Sequence, residues 1–334
     1  MKAAVWKGKW EFEIEDRPIP RLEEDEVLVA VSYAGICASD VHIIEWGLFH
    51  PPLVLGHECS GTVEAFGSEV KGFQKADKVV IQPQLYCGKC YYCRRGQEHF
   101  CNDEYSTTAS HRGAFAEYII VKAKQVYRLP ADTSLKDAAL IEPLAIALHA
   151  LDQSRMKAGE VILVIGTGPI GLLITQLARL SGAGTILITA RSSFKGEFAL
   201  KMGADRVVDP ANDNLERVVN EVTEGRGVDV CFEAVGSSEA IEKGFLVLGK
   251  GGRLIIAGLP PLNSSIKINP LQLFTREIEI GSSLLAPYCF QRAVQLAHRL
   301  NLEQLITHCF NLSEIDRAMK IMRSGERIKV LLKP

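Results

Sequence analysis

Through about the first 140 residues, short runs of apolar side chains are broken by turn-forming residues, the pattern of short strands between turns. It predicts strands over Lys2 to Trp6, Glu26 to Ser32, Gly61 to Phe66, Lys78 to Gln82, Ala116 to Val121 and Val126 to Leu129. An apolar helix is expected from Lys136 to Leu151. From Val161 the texture changes to β-branched runs alternating with helical ones, with strands at Val161 to Ile165, Thr185 to Thr189, Arg206 to Val208, Val228 to Phe232 and Arg253 to Ala257. Such alternation implies a parallel, doubly wound sheet. A final helix, Tyr288 to Leu300, and a strand, Lys329 to Leu332, return to the first texture. The expectation is an α/β fold of two domains: a β-rich domain over 1–145, with 281–334 packing back on it, and a doubly wound domain over 146–280.

The 334 residues, 47% hydrophobic and 23% charged, suit a soluble globular protein with two cores. Lys and Arg number 38 against 40 Asp and Glu, a formal net charge of −2. No global field invites nucleic acid or an anionic membrane, so the expected partner is a small molecule. The start of the chain lacks the apolar stretch of a signal peptide, which points to the cytoplasm. Val161 to Ala178 is almost free of charge, yet Gly166, Gly168, Pro169 and Gly171 interrupt it. A strand, a glycine turn and a helix explain it better than a membrane span.

Four cysteines, Cys87, Cys90, Cys93 and Cys101, crowd into fifteen residues. That spacing suits one tetrahedral zinc held by four thiolates, the bland alternative being a reduced cluster without metal. Disulfides between cysteines three apart would be sterically awkward. Cys59, Cys231, Cys289 and Cys309 read as reduced, buried thiols.

Val164-Ile165-Gly166-Thr167-Gly168-Pro169-Ile170-Gly171 follows an apolar strand and opens a helix whose apolar face is Ile170, Leu173, Ile174, Leu177 and Leu180. In that context the glycines bind a dinucleotide: Gly166 makes the tight turn, Gly168 lets backbone approach the pyrophosphate, and Gly171 permits close helix packing. Nineteen residues after Gly171, where an NAD site usually has an acid, stands Ala190. Arg191, Ser192 and Lys195 follow it and offer charge-assisted hydrogen bonds to a 2′-phosphate, so NADP(H) is favoured over NAD(H). The bland alternative makes Arg191 and Lys195 a solvated loop.

Gly35-Ile-Cys37-Ala-Ser39-Asp40-Val-His42 supplies a thiolate, and Gly56-His57-Glu58-Cys59-Ser-Gly61 an imidazole beside a carboxylate, both expected in turns of the β-rich domain. With these two motifs, Gly67 and Val70, the four-cysteine lobe and the glycine loop in order, the whole chain resembles the zinc-dependent medium-chain alcohol dehydrogenases. That resemblance implies a GroES-like catalytic domain, a Rossmann domain, one catalytic and one structural zinc per subunit, and a homo-oligomer, dimer or tetramer. By position, Cys37 and His57 would bind the catalytic zinc. Glu58 would be a further ligand, and Glu142 either a ligand or the holder of a zinc-bound water; the sequence leaves the two carboxylates open. Asp40 would orient the His57 ring, and Ser39 would pass the hydroxyl proton through the cofactor ribose to His42. A turn-ending Ser39 and a surface His42 are the bland alternatives.

Ile141-Glu142-Pro143-Leu144 is similar to the polyol (sorbitol-type) branch, whereas His42-Ile-Ile-Glu45-Trp46 resembles the threonine dehydrogenase branch. Polyol enzymes carry an Arg-Tyr pair in the stretch that here reads Ile280-Gly-Ser-Ser-Leu284-Leu-Ala-Pro-Tyr288, and Leu284 cannot replace an arginine. That departure implies a smaller or less polar alcohol, or other residues holding the hydroxyls. Trp46 and Phe49 are candidate pocket residues or plain core. The expected activity is zinc-dependent hydride transfer between a nicotinamide and a polyol, ketose or related secondary alcohol. Threonine-type oxidation is the enzymatic rival, and a dinucleotide-binding protein without catalysis is the rival of another class.

Overall fold

Strand Glu26–Ile36 is the axis of the first half of this computed structural model, which describes residues 1–103, 105–106 and 112–334. It pairs antiparallel along one side with Glu58–Phe66. On the other side Tyr118–Lys122 takes its first residues and Lys329–Lys333 its last. Paired on both sides, Glu26–Ile36 is buried over most of its length and reads as a continuous apolar run. The seven-stranded sheet built on it also contains Val126–Arg128, Lys78–Ile81 and Ile306–Asn311, and a three-stranded sheet of Glu11–Asp16, Lys2–Gly8 and Leu53–Val54 lies in the same unit. Val27, Val29, Val31, Leu53, Phe115 and Val330 belong to their common core. This unit comprises Met1–Glu142 and Phe290–Pro334, and the second comprises Pro143–Cys289.

The second unit carries a six-stranded, all-parallel sheet in the order Arg206–Val208, Thr185–Thr189, Val161–Ile165, Val228–Glu233, Leu248–Ile256 and Glu279–Ser282. Strand order reverses beside Val161–Ile165, so the crevice for a ligand opens beyond its carboxyl end. Helix Pro169–Leu180 starts there and buries Leu172, Leu173, Ile174 and Leu177. Among the described residues no helix is long and apolar enough to cross a membrane.

The single helix expected over Lys136 to Leu151 is two, Leu135–Ala138 and Ile141–Ser154. Pro143 has no N–H to give the Ala139 carbonyl and its ring crowds it, so a new helix begins with the proline in its first turn. Strands Glu11–Asp16 and Ile306–Asn311 and helix Ile315–Arg323 were not expected from the sequence. Glu11–Asp16 is too charged for an apolar run to show, and Ile306–Asn311 is carried by its parallel pairing with Lys329–Lys333, a contact remote in sequence.

A Cβ on Gly171 would overlap the Gly166 carbonyl oxygen, which is backbone and cannot swing aside. Gly171→Ala is therefore expected to destabilise the protein by ~1–3 kcal/mol, as overpacking does, measured by urea unfolding. An unchanged midpoint would mean that the turn and helix separate freely.

Candidate active site

Cys37 ends the axial strand and caps the N-terminus of helix Ala38–Trp46. Ser39, Asp40 and His42 thus sit on a helix, a correction to the turn expected from sequence. Two local features account for it. The Asp40 carboxylate, at the third helical position, accepts the Cys37 N–H at 2.8 Å, and Gly47 closes the other end in the left-handed conformation, φ 63°. Asp40 is fully buried. Its other oxygen accepts the Gly56 N–H at 3.3 Å and lies 3.6 Å from His57 Nδ1. One carboxylate therefore joins the helix start to the His57 turn. Burial opposes charge on His57, but Asp40 and the Cys37 thiol outweigh it and hold its pKa well above the ordinary value.

Gly56 bends the chain at φ 93°, where a Cβ would also strike the Phe115 ring. Glu58 then opens strand Glu58–Phe66 opposite Gly35. Ligand atoms of Cys37, His57 and Glu58 all lie within 4.8 Å of one another. A thiolate, an imidazole and a carboxylate at that spacing form a three-donor set for zinc, of the kind that leaves a fourth position open. Glu142, buried in the first turn of Ile141–Ser154, lies outside this set. Burial pushes its carboxyl up to about 7, with His57 opposing and Glu58 adding to the rise. The sequence reading missed Lys329, whose ammonium makes an ion pair with Glu58 while both side chains are buried. Its signal was a lysine at the head of an otherwise apolar strand, Lys-Val-Leu-Leu.

His42 and Trp46, one turn apart, stack face to face with ring centroids 4.2 Å apart and planes 4° from parallel. The His42 Nδ1 atom is buried without a hydrogen-bond partner, and burial lowers the pKa of the ring. Phe49 packs on the core of the first unit.

In the cysteine lobe the ligand atoms of Cys87, Cys90, Cys93 and Cys101 converge within 4.8 Å. Backbone N–H groups support the sulfurs in sequence: Cys87 donates to Cys101 at 3.4 Å, Cys90 to Cys87 at 3.3 Å, and Cys93 to Cys90 at 3.5 Å. The Cys93 amide is the main reason that the Cys90 thiol falls to about 6, while desolvation pushes Cys93 up to about 12. All nine cysteines are free, and Cys309, expected to be buried, is exposed at the outer strand of the sheet. Four soft donors converging in one loop make a closed thiolate cage that fits zinc.

In the second unit Gly166 turns at φ 113° and gives its N–H to Thr189 Oγ1 at 3.0 Å. Gly168 caps helix Pro169–Leu180, Pro169 stands in its first turn, and Ile170 follows half-buried. A Cβ on Gly168 would meet open space, so this glycine marks an approach to the backbone from outside. Ala190 is buried and bonds Val208, whereas Arg191 is exposed. Ser192 caps the next helix, Ser193–Lys201, accepting the Lys195 N–H at 3.3 Å. Thr189 and Glu233 went unseen in the sequence. Glu233 ends its strand fully buried, with Oε1 accepting N–H groups of Val235 and Gly236 at 2.8 Å each and Oε2 without a partner. Burial raises its carboxyl in spite of these bonds. An acid closing an apolar strand just before a glycine was the available signal.

Known families match both halves of the chain: Alcohol dehydrogenase GroES-like domain over residues 23–131, and Zinc-binding dehydrogenase over residues 169–299. Sorbitol dehydrogenase of Bacillus subtilis (strain 168) is 33% identical over 344 residues, spanning 100% of this chain and 97% of that protein. L-threonine 3-dehydrogenase of Pyrococcus abyssi is 34% identical over 340 residues, 98% of this chain and 97% of that one. A zinc-binding dehydrogenase of Sinorhizobium meliloti 1021, solved bound to NADP, superposes with a TM-score of 0.95 at 31% identity and covers 100% of this chain and 99% of its own. With both family matches, full-length relatives and a two-unit fold in agreement, the chain belongs to the zinc-dependent medium-chain alcohol dehydrogenases, enzymes that use a nicotinamide cofactor, in the branch of the polyol and threonine dehydrogenases.

Proposed function

We propose that this protein moves a hydride between a nicotinamide, preferably NADP, and a polyol, ketose or related secondary alcohol at a zinc held by Cys37, His57 and Glu58. The convergence of those three donors, with a fourth position left to substrate, is the observation that carries the reading. Zinc in that position supplies Lewis acidity toward the substrate oxygen. Asp40 fixes the His57 ring, and Glu142, held near neutral pH, is placed to accept or give a hydrogen bond at the edge of the site. Ser39 takes the hydroxyl proton and His42 exchanges it with solvent. The His42 Nδ1 atom is buried with its hydrogen-bonding capacity unused, which supports a role for this ring beyond packing. The four-cysteine lobe holds a second, structural zinc. Leu284 stands where sorbitol-type enzymes have arginine, which favours a less polar substrate; activities toward polyols, ketoses, simple secondary alcohols and L-threonine measure it.

The chain is also read as a homo-oligomer through the Glu279–Ser282 edge of the parallel sheet. Among the described residues that edge strand has no outer partner in the sheet. The same unit exposes Leu262, Leu271 and Phe274 at 73%, 67% and 80%. Exposed apolar residues of this size, beside an unpaired strand, favour a second copy. Phe274→Glu with Leu271→Glu is expected to lower the mass in light scattering to that of a single chain; a wild type that is already monomeric ends this reading.

For the metals, the isolated protein is expected to hold two zinc ions per chain by elemental analysis. Cys37→Ser or His57→Ala should lose one of them and all turnover while keeping the fold. Cys93→Ser should lose the other and lower the melting temperature, since ligand binding energy in such a cage is also folding energy. His42→Gln should retain both metals and slow oxidation mainly at low pH. A single zinc that survives Cys93→Ser would contradict the assignment of the lobe.

For the cofactor, Ala190 leaves no acid to repel a 2′-phosphate and Arg191 is free to meet one. Charged hydrogen bonds contribute ~1.5–3 kcal/mol each, so NADPH should bind roughly tenfold to several-hundredfold more tightly than NADH. Arg191→Ala should weaken NADPH and spare NADH, and Ala190→Asp should reverse much of the preference. Equal dissociation constants for the two nicotinamides in the wild type would leave Arg191 and Lys195 without a role toward the phosphate.

A further inference from the structure

Lys329 is a buried cation beside the donors of the metal centre, and no assigned role accounts for it. Its ammonium pairs with Glu58 Oε2, the two side chains being 2% and 1% exposed. The register of the sheet explains how they meet. Gly35, on the axial strand, pairs with Glu58 on one side and with Leu331 on the other. A Cβ at Gly35 would overlap both the Glu58 carboxylate and Cε of Lys329. The glycine thus clears a lane across which two charged side chains from flanking strands touch.

An ion pair taken fully out of water gains little net stability, because desolvation offsets most of the attraction. Its retention therefore calls for another consequence. A carboxylate oxygen held by an ammonium is less available to a divalent cation, and the ammonium repels that cation at short range. Both effects act in one direction. Cys37 and Glu58 as two anionic donors would also cancel the charge of a zinc ion, whereas the lysine returns one positive charge to the centre and keeps it attractive to a substrate oxygen.

We propose that Lys329 is a positioning residue of the metal centre, which competes with zinc for the Glu58 carboxylate and keeps the open site's hold on the metal weaker than its three donors alone would give. This rests on the reading of Glu58 as a ligand. The test is zinc retained per chain across graded dipicolinate at pH 8, the open-site metal being the one that Cys37→Ser lacks. Lys329→Met should need at least tenfold more chelator to release that metal, and Lys329→Arg should stay within about threefold of the wild type. Because Lys329→Met leaves a buried carboxylate alone and can fail to fold, Lys329→Gln, which keeps a donor without the charge, is measured beside it with the same expectation. Equal or easier release in the neutral variants overturns the proposal. Glu58→Gln separates the two readings: if it leaves release unchanged, Glu58 is no ligand and the proposed site itself fails. If Glu58→Gln releases zinc more easily and Lys329→Met still tightens binding tenfold in that background, the lysine acts on the ion alone and competition for Glu58 is overturned.

Discussion

A carboxylate with almost no exposure has to be paired or hydrogen-bonded, and at Glu58 the ion pair with Lys329 that meets this requirement organises the first unit. Glu58 opens one strand, Lys329 opens another, and the axial strand between them carries Gly35 at the crossing. Removing one partner of such a pair typically costs about 3–5 kcal/mol, because the other is left charged in an apolar interior. The C-terminal strand Lys329–Lys333 is consequently tied to the N-terminal sheet by more than its ladder of hydrogen bonds. Chain ends far apart in sequence are joined where the candidate metal donors converge, so the integrity of the site and of the sheet depend on the same residues.

Asp40 performs the corresponding task on the helix side. Its two oxygens reach the Cys37 amide, the Gly56 amide and the neighbourhood of His57 Nδ1. The helix cap, the sharp turn before His57 and the orientation of an imidazole all rest on one buried side chain. Fixing ligands through shared partners in this way lowers the entropy lost when a metal arrives, and it holds the thiolate and imidazole at a spacing that the backbone alone would not enforce. The cysteine lobe reaches order differently, through amides aimed at successive sulfurs within a single short loop. A local motif of that kind draws these contacts from residues close together in sequence.

That contrast explains what the sequence disclosed. The lobe, the glycine loop and the parallel strands are written in contiguous residues, where spacing and periodicity carry the whole signal. Cys37, His57 and Glu58 were recognisable as ligand types, and the structure brings them together. The sequence left Glu58 and Glu142 as equals; the distances put Glu58 with Cys37 and His57 and leave Glu142 outside. Helix Ala38–Trp46 was hidden because it lacks a clear apolar stripe and owes its start to a side-chain cap. Lys329, Thr189 and Glu233 were hidden for another reason: each matters through a partner distant in sequence or through a backbone amide, and neither leaves a periodic trace.

At the dinucleotide loop the structure narrows which groups are open to a ligand. Thr189 Oγ1 is already engaged by the Gly166 amide, and Ser192 Oγ by the Lys195 amide. Neither hydroxyl can offer its full capacity to a phosphate without giving up a bond that shapes the loop or caps a helix. The buried methyl of Ala190 contributes nothing polar. On the reading proposed above, preference for a 2′-phosphate therefore falls mainly on the exposed guanidinium of Arg191, a fork suited to two phosphate oxygens at once. A site that relies on one flexible cation discriminates less sharply than one built from several fixed donors, because ordering the side chain costs entropy that the bonds must first offset. On that reading the preference is graded, and it is expected closer to the tenfold end of the range than to the several-hundredfold end.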